Sequence, residues 1–211
     1  MLLEAESASV VLDGATLLPP TSLRAAPGEC VAVLGANGAG KTTLLRVLAG
    51  RMRLTAGSAT LRGAPLDERR REIRREIAAL IDVPTLYPDL TLRENLALIE
   101  AAWSGEGRGS GLAEGLGASA LEVFGLTGLA TRFANELSSG QRQLVSLAVT
   151  LARPANVLLL DEPEQRLDPD RKDMVAEAVL AARSRGAAVV FASHDAELVA
   201  RVADRSVRVG G

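Results

Sequence analysis

A chain of 211 residues with 47% hydrophobic content has the length and apolar fraction to build one compact domain around a buried core. Its 24 Lys and Arg against 26 Asp and Glu leave a net charge of −2, so global charge gives no reason to expect nucleic acid as a partner.

Along the chain, Glu4 and Glu6 stand where a signal peptide would be basic, and no apolar run approaches the roughly 18 residues of a membrane-spanning helix. The chain is therefore not expected to cross a membrane unaided. Short strands are expected at about 2–6, 9–12, 29–34 and 58–62, separated by turns such as Pro19-Pro20 and Pro27-Gly28. They suggest a β-rich shell around the Gly-rich segment that follows Leu34. The single Cys30 lies in the third of these strands; it excludes an intramolecular disulfide, reads as a buried inert thiol and fits a cytosolic setting. Arg69, Arg70, Arg71, Arg74 and Arg75, interleaved with Glu68, Glu72 and Glu76, read as a solvated helix face of alternating charge. Leu92, Leu96, Ile99 and Trp103 recur at helical spacing, the glycine-rich stretch 105–117 reads as a flexible connector, and a second helical patch covers about 118–124. A further helix is expected over 139–152, stopping before Pro154, followed by a buried parallel strand at 157–160. Asp168-Pro169 supply an N-cap and a first helical residue for a helix ending near Gly186, and 187–192 reads as another buried strand. A helix end and a short strand over 201–209 close the chain, which shows no internal repeat.

Chemistry concentrates at two places. Gly35-Ala36-Asn37-Gly38-Ala39-Gly40-Lys41-Thr42 fits G-x-x-x-x-G-K-[ST] between a strand and an apolar-periodic helix that continues through Thr43, which is the context of a phosphate loop. Gly35, Asn37, Gly38 and Gly40 let backbone N–H groups curl around phosphate oxygens, the helix start adds partial positive charge, Lys41 adds a point charge, and the Thr42 hydroxyl is a Mg²⁺ ligand. Only Lys41 and Lys172 are lysines among 24 basic residues, so a compact ammonium in this loop stands out in an arginine-rich chain. The second place is Asp161-Glu162 at the end of an apolar strand. Successive strand residues point to opposite sides, so Asp161 is placed to hold Mg²⁺ and Glu162 to polarise an attacking water. Together they predict a nucleoside triphosphate site.

With Leu137-Ser138-Ser139-Gly140-Gln141 at a helix start shortly before those acids, close to an LSGGQ signature, the chain resembles the ATP-binding subunit of an ABC transporter over nearly its whole length. The resemblance implies an α/β fold: a P-loop NTPase core of ABC ATPase type with a β-rich N-terminal subdomain and an inserted helical subdomain. The core would cover about 1–85 and 155–211 and the helical lobe about 86–154 of one domain, 1–211. It implies that Ser138, Ser139, Gly140 and Gln141 bind nucleotide, that Asp168 belongs to the D-loop, and that His194, the only histidine, is the switch contacting the γ-phosphate. It also implies ATP and Mg²⁺, hydrolysis coupled to transport, and a head-to-tail pair in which one subunit's phosphate loop and the other's signature sandwich each ATP. The second subunit would be identical or a close paralogue, and an integral-membrane permease would be the other partner. The protein would then be cytoplasmic and peripheral on the inner face of the membrane, of exporter type on its minimal size, with no direct nucleic acid. Leu86 and Tyr87 are candidates to receive a short permease helix. A soluble non-transport ABC ATPase ranks second and a catalytically silent ATP-binding partner third. This chain departs from the pattern at Asp82, where the family usually has a Gln that reaches Mg²⁺ and the attacking water. It departs also at Val11 and Leu12, where an aromatic often stacks on adenine, and at Ser139, where a Cβ replaces a signature glycine.

Overall fold

The computed structural model describes residues 1–82, 86–104 and 121–210, which fall into two compact units. The first comprises the described residues of Met1–Ile81, Ala155–Pro163 and Ala176–Gly211; the second comprises those of Asp82–Pro154 and Glu164–Val175.

In the first unit, β1 (Leu3–Leu12), β2 (Ala15–Ala25), β4 (Ala56–Leu61) and β5 (Ala64–Pro65) form an antiparallel sheet in the order β2-β1-β4-β5. Asp13 (φ 50°) and Gly14 (φ 80°) make the tight β1–β2 turn, as an Asp-Gly pair does when both central residues must be left-handed. The expected strands 2–6 and 9–12 are one strand, irregular at Ser7, which has φ 45° and donates its N–H to Ser22 Oγ. Pro19-Pro20 is not a turn but lies inside β2. The register jumps there from Val10↔Leu18 to Ala8↔Thr21, and β2 is the sheet's edge, where a missing N–H breaks no ladder bond.

The other sheet is fully parallel, with β6 (Ile77–Leu80), β7 (Val157–Asp161), β8 (Ala188–Ala192), β3 (Cys30–Leu34) and β9 (Arg205–Arg208) in the order β6-β7-β8-β3-β9. Strand β8 is buried at every residue and β3 at all but its last, as continuous apolar runs in a two-sided sheet require. Helix α1 (Lys41–Leu48) lays Leu44, Leu45 and Leu48, all fully buried, into the cluster that contains Val31, Val33, Leu159 and Val190. Each such leucine contributes about 2 kcal/mol, which fixes the helix that carries Lys41 and Thr42. Cys30 is buried, and burial above all, with Asp204 and Glu29 adding to it against Arg183, pushes its thiol up to about 11. Helix α2 (Arg71–Glu76) buries only Ile73, so its arginines form the charged face the sequence suggests.

The second unit contains α3 (Leu92–Ser104) and α4 (Ser139–Leu151), and α5 (Pro169–Ser184) is divided between the units. Leu92 and Leu96 are buried, as their spacing predicts. Asn95, also buried, donates to the carbonyls of Tyr87, Leu90 and Thr91 and accepts from Tyr87 N–H, fixing the entry to α3. The glycine-rich connector and the first residues of the patch at 118–124 lie outside the described residues; 121–123 are helical. Helix α6 (Ala196–Val202), in the first unit, is capped by Asp195 Oδ1. No helix among the described residues is long and apolar enough to cross a membrane.

Candidate functional site

Strands β3, β7 and β8 are neighbours in a parallel sheet, so their carboxyl ends share one edge, and it is there that such sheets hold ligands. Each end carries one of the segments singled out in the sequence. After β3 the loop needs glycine for a stated reason at two positions. A Cβ on Gly40 (φ 104°) would stand 2.6 Å from Leu17 O, and one on Gly35 (φ 155°) 2.8 Å from Val209 O. Gly40 is also the N-cap of α1 and offers no side chain to it, so the helix's first amides are left for a ligand.

Lys41 is only 7% exposed, and its Nζ donates to Gly35 O at 3.0 Å, Ala36 O at 3.1 Å and His194 Nε2 at 2.9 Å. All three acceptors are uncharged, so a buried ammonium is held without a carboxylate beside it, the complement of an incoming anion. Thr42 Oγ1 donates to Asp161 Oδ2 at 2.6 Å, joining the start of α1 to the end of β7. Burial pushes the Asp161 carboxyl above the ordinary carboxylate range; Glu162 adds to this, while the Thr42 hydrogen bond, Lys41 and Arg46 oppose it. A hydroxyl and an under-compensated carboxylate side by side fit Mg²⁺, which keeps most of its ligands as water and phosphate oxygen. Among the described residues no group of three or more His, Cys, Asp and Glu could hold a metal by itself, in keeping with that mode.

Glu162 has a left-handed backbone (φ 46°) and donates its N–H to Ala192 O at 2.9 Å, which ties it to the end of β8. Its Oε1 lies 3.5 Å from His194 Nε2. A non-glycine residue in this conformation costs about 1 kcal/mol or more, and such residues cluster at functional sites. A cleft of about 400 Å³ opens over these groups, lined by Asn37, Gly38, Gly40 to Thr43, Glu162, and Thr16 and Leu17 of β2. That volume suits a small ligand. Sequence reasoning missed Thr16 and Leu17, because the β1–β2 register places them and no local motif marks them. Val11 and Leu12 are 43% and 58% exposed at the same hairpin end, and Val11 pairs with Thr16.

The signature segment lies in the second unit. Ser138 is the N-cap of α4: its Oγ accepts from Gln141 N at 3.2 Å, and Gln141 Oε1 accepts from Ser138 N at 2.9 Å, a reciprocal capping box. Gly140 is buried, and a Cβ on it would meet Arg166 O at 3.0 Å and Arg171 Nη1 at 3.1 Å. Ser139 is exposed as the first residue of α4 and is not among the positive-φ residues, so its Cβ costs no backbone freedom. Asp168 is exposed, and its Oδ1 accepts from Arg171 N at 3.0 Å as the N-cap of α5. Asp82 is exposed two residues beyond β6.

The structure thus brings Gly35, Asn37, Gly38, Gly40, Lys41, Thr42, Thr43, Asp161, Glu162 and His194 together in the first unit. Ser138, Ser139, Gly140, Gln141, Asp168 and Asp82 belong to the second.

The ABC transporter family matches residues 18–165. The chain is 37% identical over 210 residues to "Phosphate import ATP-binding protein PstB 2" of Natronomonas pharaonis, covering 92% of this chain and 72% of that one. It is 35% identical over 178 residues to "Nod factor export ATP-binding protein I" of Burkholderia orbicola, covering 84% of this chain but only 58% of that protein's length. Among solved structures, an ATP-binding subunit of an ABC transporter superposes with a TM-score of 0.85 at 27% identity, covering 100% of this chain and 89% of the other. A dimeric ATP-binding cassette in a post-hydrolysis state superposes with a TM-score of 0.84 at 23% identity, covering 99% of this chain and 94% of the other, and so shares the fold. The chain belongs to the ABC transporter family.

Proposed function

We propose that this chain binds and hydrolyses ATP as the power subunit of an ABC transporter. The observation that carries the reading is the cluster at the strand ends, where a buried Lys41 with only uncharged acceptors, the Thr42–Asp161 pair and Glu162 surround one cleft. Backbone amides from Asn37 to Thr43 hold the phosphates, and Lys41 meets the charge on the β- and γ-phosphates. Mg²⁺, held by Thr42 and Asp161, would neutralise phosphate charge in the transition state. Glu162 accepts a proton from the attacking water, and its left-handed backbone aims the carboxylate towards the cleft that it lines.

The signature serves a second copy. Ser138 and the amides at the start of α4 form an anion site on an exposed helix start, and by the family resemblance they cover an ATP held on the partner's phosphate loop. Asp168 lies at that interface, and Asp82 takes the position of the usual Gln beside the metal and water. ATP then holds two subunits head to tail, and loss of the γ-phosphate contacts reopens them. The chain is the cytoplasmic, peripheral part of a complex with a membrane-spanning permease, which Tyr87, 59% exposed, and the partly buried Leu86 help to receive. The two relatives named above are an exporter and an importer, so the proposal assigns no direction.

Phosphate release measured with wild-type protein and with Lys41→Ala tests the hydrolysis. Turnover that requires ATP and Mg²⁺ and vanishes in the variant supports it; equal release by both overturns it. A tagged Glu162→Gln protein with ATP, drawn from detergent-solubilised host membranes, tests the assembly. Co-purification of a multi-span membrane protein supports the transporter reading, whereas recovery of soluble proteins alone replaces it with a soluble ABC ATPase.

A further inference from the structure

The chain's only histidine accepts a hydrogen bond where a phosphate-binding protein needs a donor. Lys41 Nζ has donors and no lone pair, so its 2.9 Å contact with His194 Nε2 requires the lone pair to be on Nε2. The imidazole is then neutral, with its proton on Nδ1. The charged groups facing the ring are Lys41 from α1 and Glu162 from the end of β7, whose Oε1 is 3.5 Å from Nε2. Asp161 of β7 and Arg46 of α1 complete the local charge set, and Asp195 uses Oδ1 on the amides of Glu197 and Leu198.

A terminal phosphate that takes over Lys41 brings only acceptor oxygens to the place beside Nε2. The lone pair on Nε2 would then face phosphate oxygens on one side and the Glu162 carboxylate on the other. A proton on Nε2 turns both repulsions into charge-assisted hydrogen bonds. We infer that His194 takes up one proton from solvent when a nucleoside triphosphate binds, becoming an imidazolium that donates from Nε2 to the terminal phosphate. A diphosphate supplies no such oxygen and leaves the ring neutral. His194 thereby separates triphosphate from diphosphate by protonation, a regulation of the site that rests on the nucleotide reading above.

Because there is one histidine, ¹⁵N-histidine labelling gives one unambiguous ring spectrum. The expected result at about pH 7.5, with EDTA present to prevent metal-dependent turnover, is a neutral Nδ1–H ring without nucleotide and with ADP, and a ring protonated on both nitrogens with ATP. A ring that stays neutral while ATP shifts the amides of Gly35 to Thr42 overturns the inference and leaves the nucleotide reading standing. Failure of ATP to shift those amides overturns both. In calorimetry, ATP affinity should fall by up to about tenfold per pH unit as pH rises, the limit for one linked proton, beyond any slope shown by ADP or by His194→Gln. The same slope in His194→Gln, which cancels the titration of ATP itself, overturns it.

Discussion

The phosphate-loop site and the signature segment are both Gly- and Ser-rich helix starts, yet they satisfy their polar groups in opposite ways. Around the loop the bonds are long-range: Lys41 reaches His194 across 153 positions of sequence and Thr42 reaches Asp161 across 119. At the signature they are local, Ser138 and Gln141 satisfying each other within 3 positions. The first site is therefore assembled by the tertiary fold and is complete in charge except for its anion. The second is a finished helix cap on the surface, and any further role has to come from what docks on it.

That contrast can be broken at either end. The largest effect is expected at Glu162→Gln, which removes the proton acceptor but keeps the shape: turnover should fall about 10²- to 10⁴-fold with ATP affinity retained, as steady-state phosphate release and nucleotide titration would show. Loss of affinity instead would make Glu162 a binding residue. Lys41→Ala should weaken ATP binding by roughly 100-fold, the worth of a charge-assisted bond of about 3 kcal/mol, with turnover lost alongside it. Ser138→Ala should leave ATP affinity of the isolated subunit unchanged and remove a cap worth about 1 kcal/mol, lowering the melting temperature by about 2–4 °C. If hydrolysis at saturating protein also falls well beyond that stability loss, the signature acts on a partner's nucleotide.

The smallest effect concerns stability and has a defined sign. Burial raises the Asp161 carboxyl above its unfolded value, so its contribution to stability is fully present below the ordinary carboxylate range and is lost as pH rises through the raised value. Near pH 7 the ionised group burdens the nucleotide-free fold. Asp161→Asn should accordingly melt at higher temperature than wild type without metal near pH 7, with the gap closing in acid, while Mg²⁺-dependent hydrolysis is lost. A lower melting temperature for the variant would mean that the Thr42 bond outweighs the desolvation.

Sequence legibility followed the range of each interaction. Gly35 to Thr42 and the Asp161-Glu162 pair could be read because their residue types, spacing and flanking strands are local. The expected helix over 139–152 and the N-cap at Asp168 could be read for the same reason. Pro19-Pro20 was misjudged because proline marks a turn or an edge strand equally well, and only the sheet order decides. Strand β6 was missed because Ile77-Ala78-Ala79-Leu80 is short and weakly apolar and becomes a strand by pairing with β7. Thr16 and Leu17 at the cleft, the Lys41–His194 bond and the left-handed backbone of Glu162 all depend on which strands become neighbours, and no window of sequence carries that.

The account's central claim, that ATP joins a complete phosphate-loop site to a signature which acts on a second copy, is tested most directly by light scattering on Glu162→Gln during gel filtration. A monomer of 22.0 kDa without nucleotide that becomes a dimer with ATP, and returns to monomer when Ser138→Ala is added, is the predicted result. A Glu162→Gln protein that demonstrably binds ATP yet stays monomeric at every concentration would contradict it.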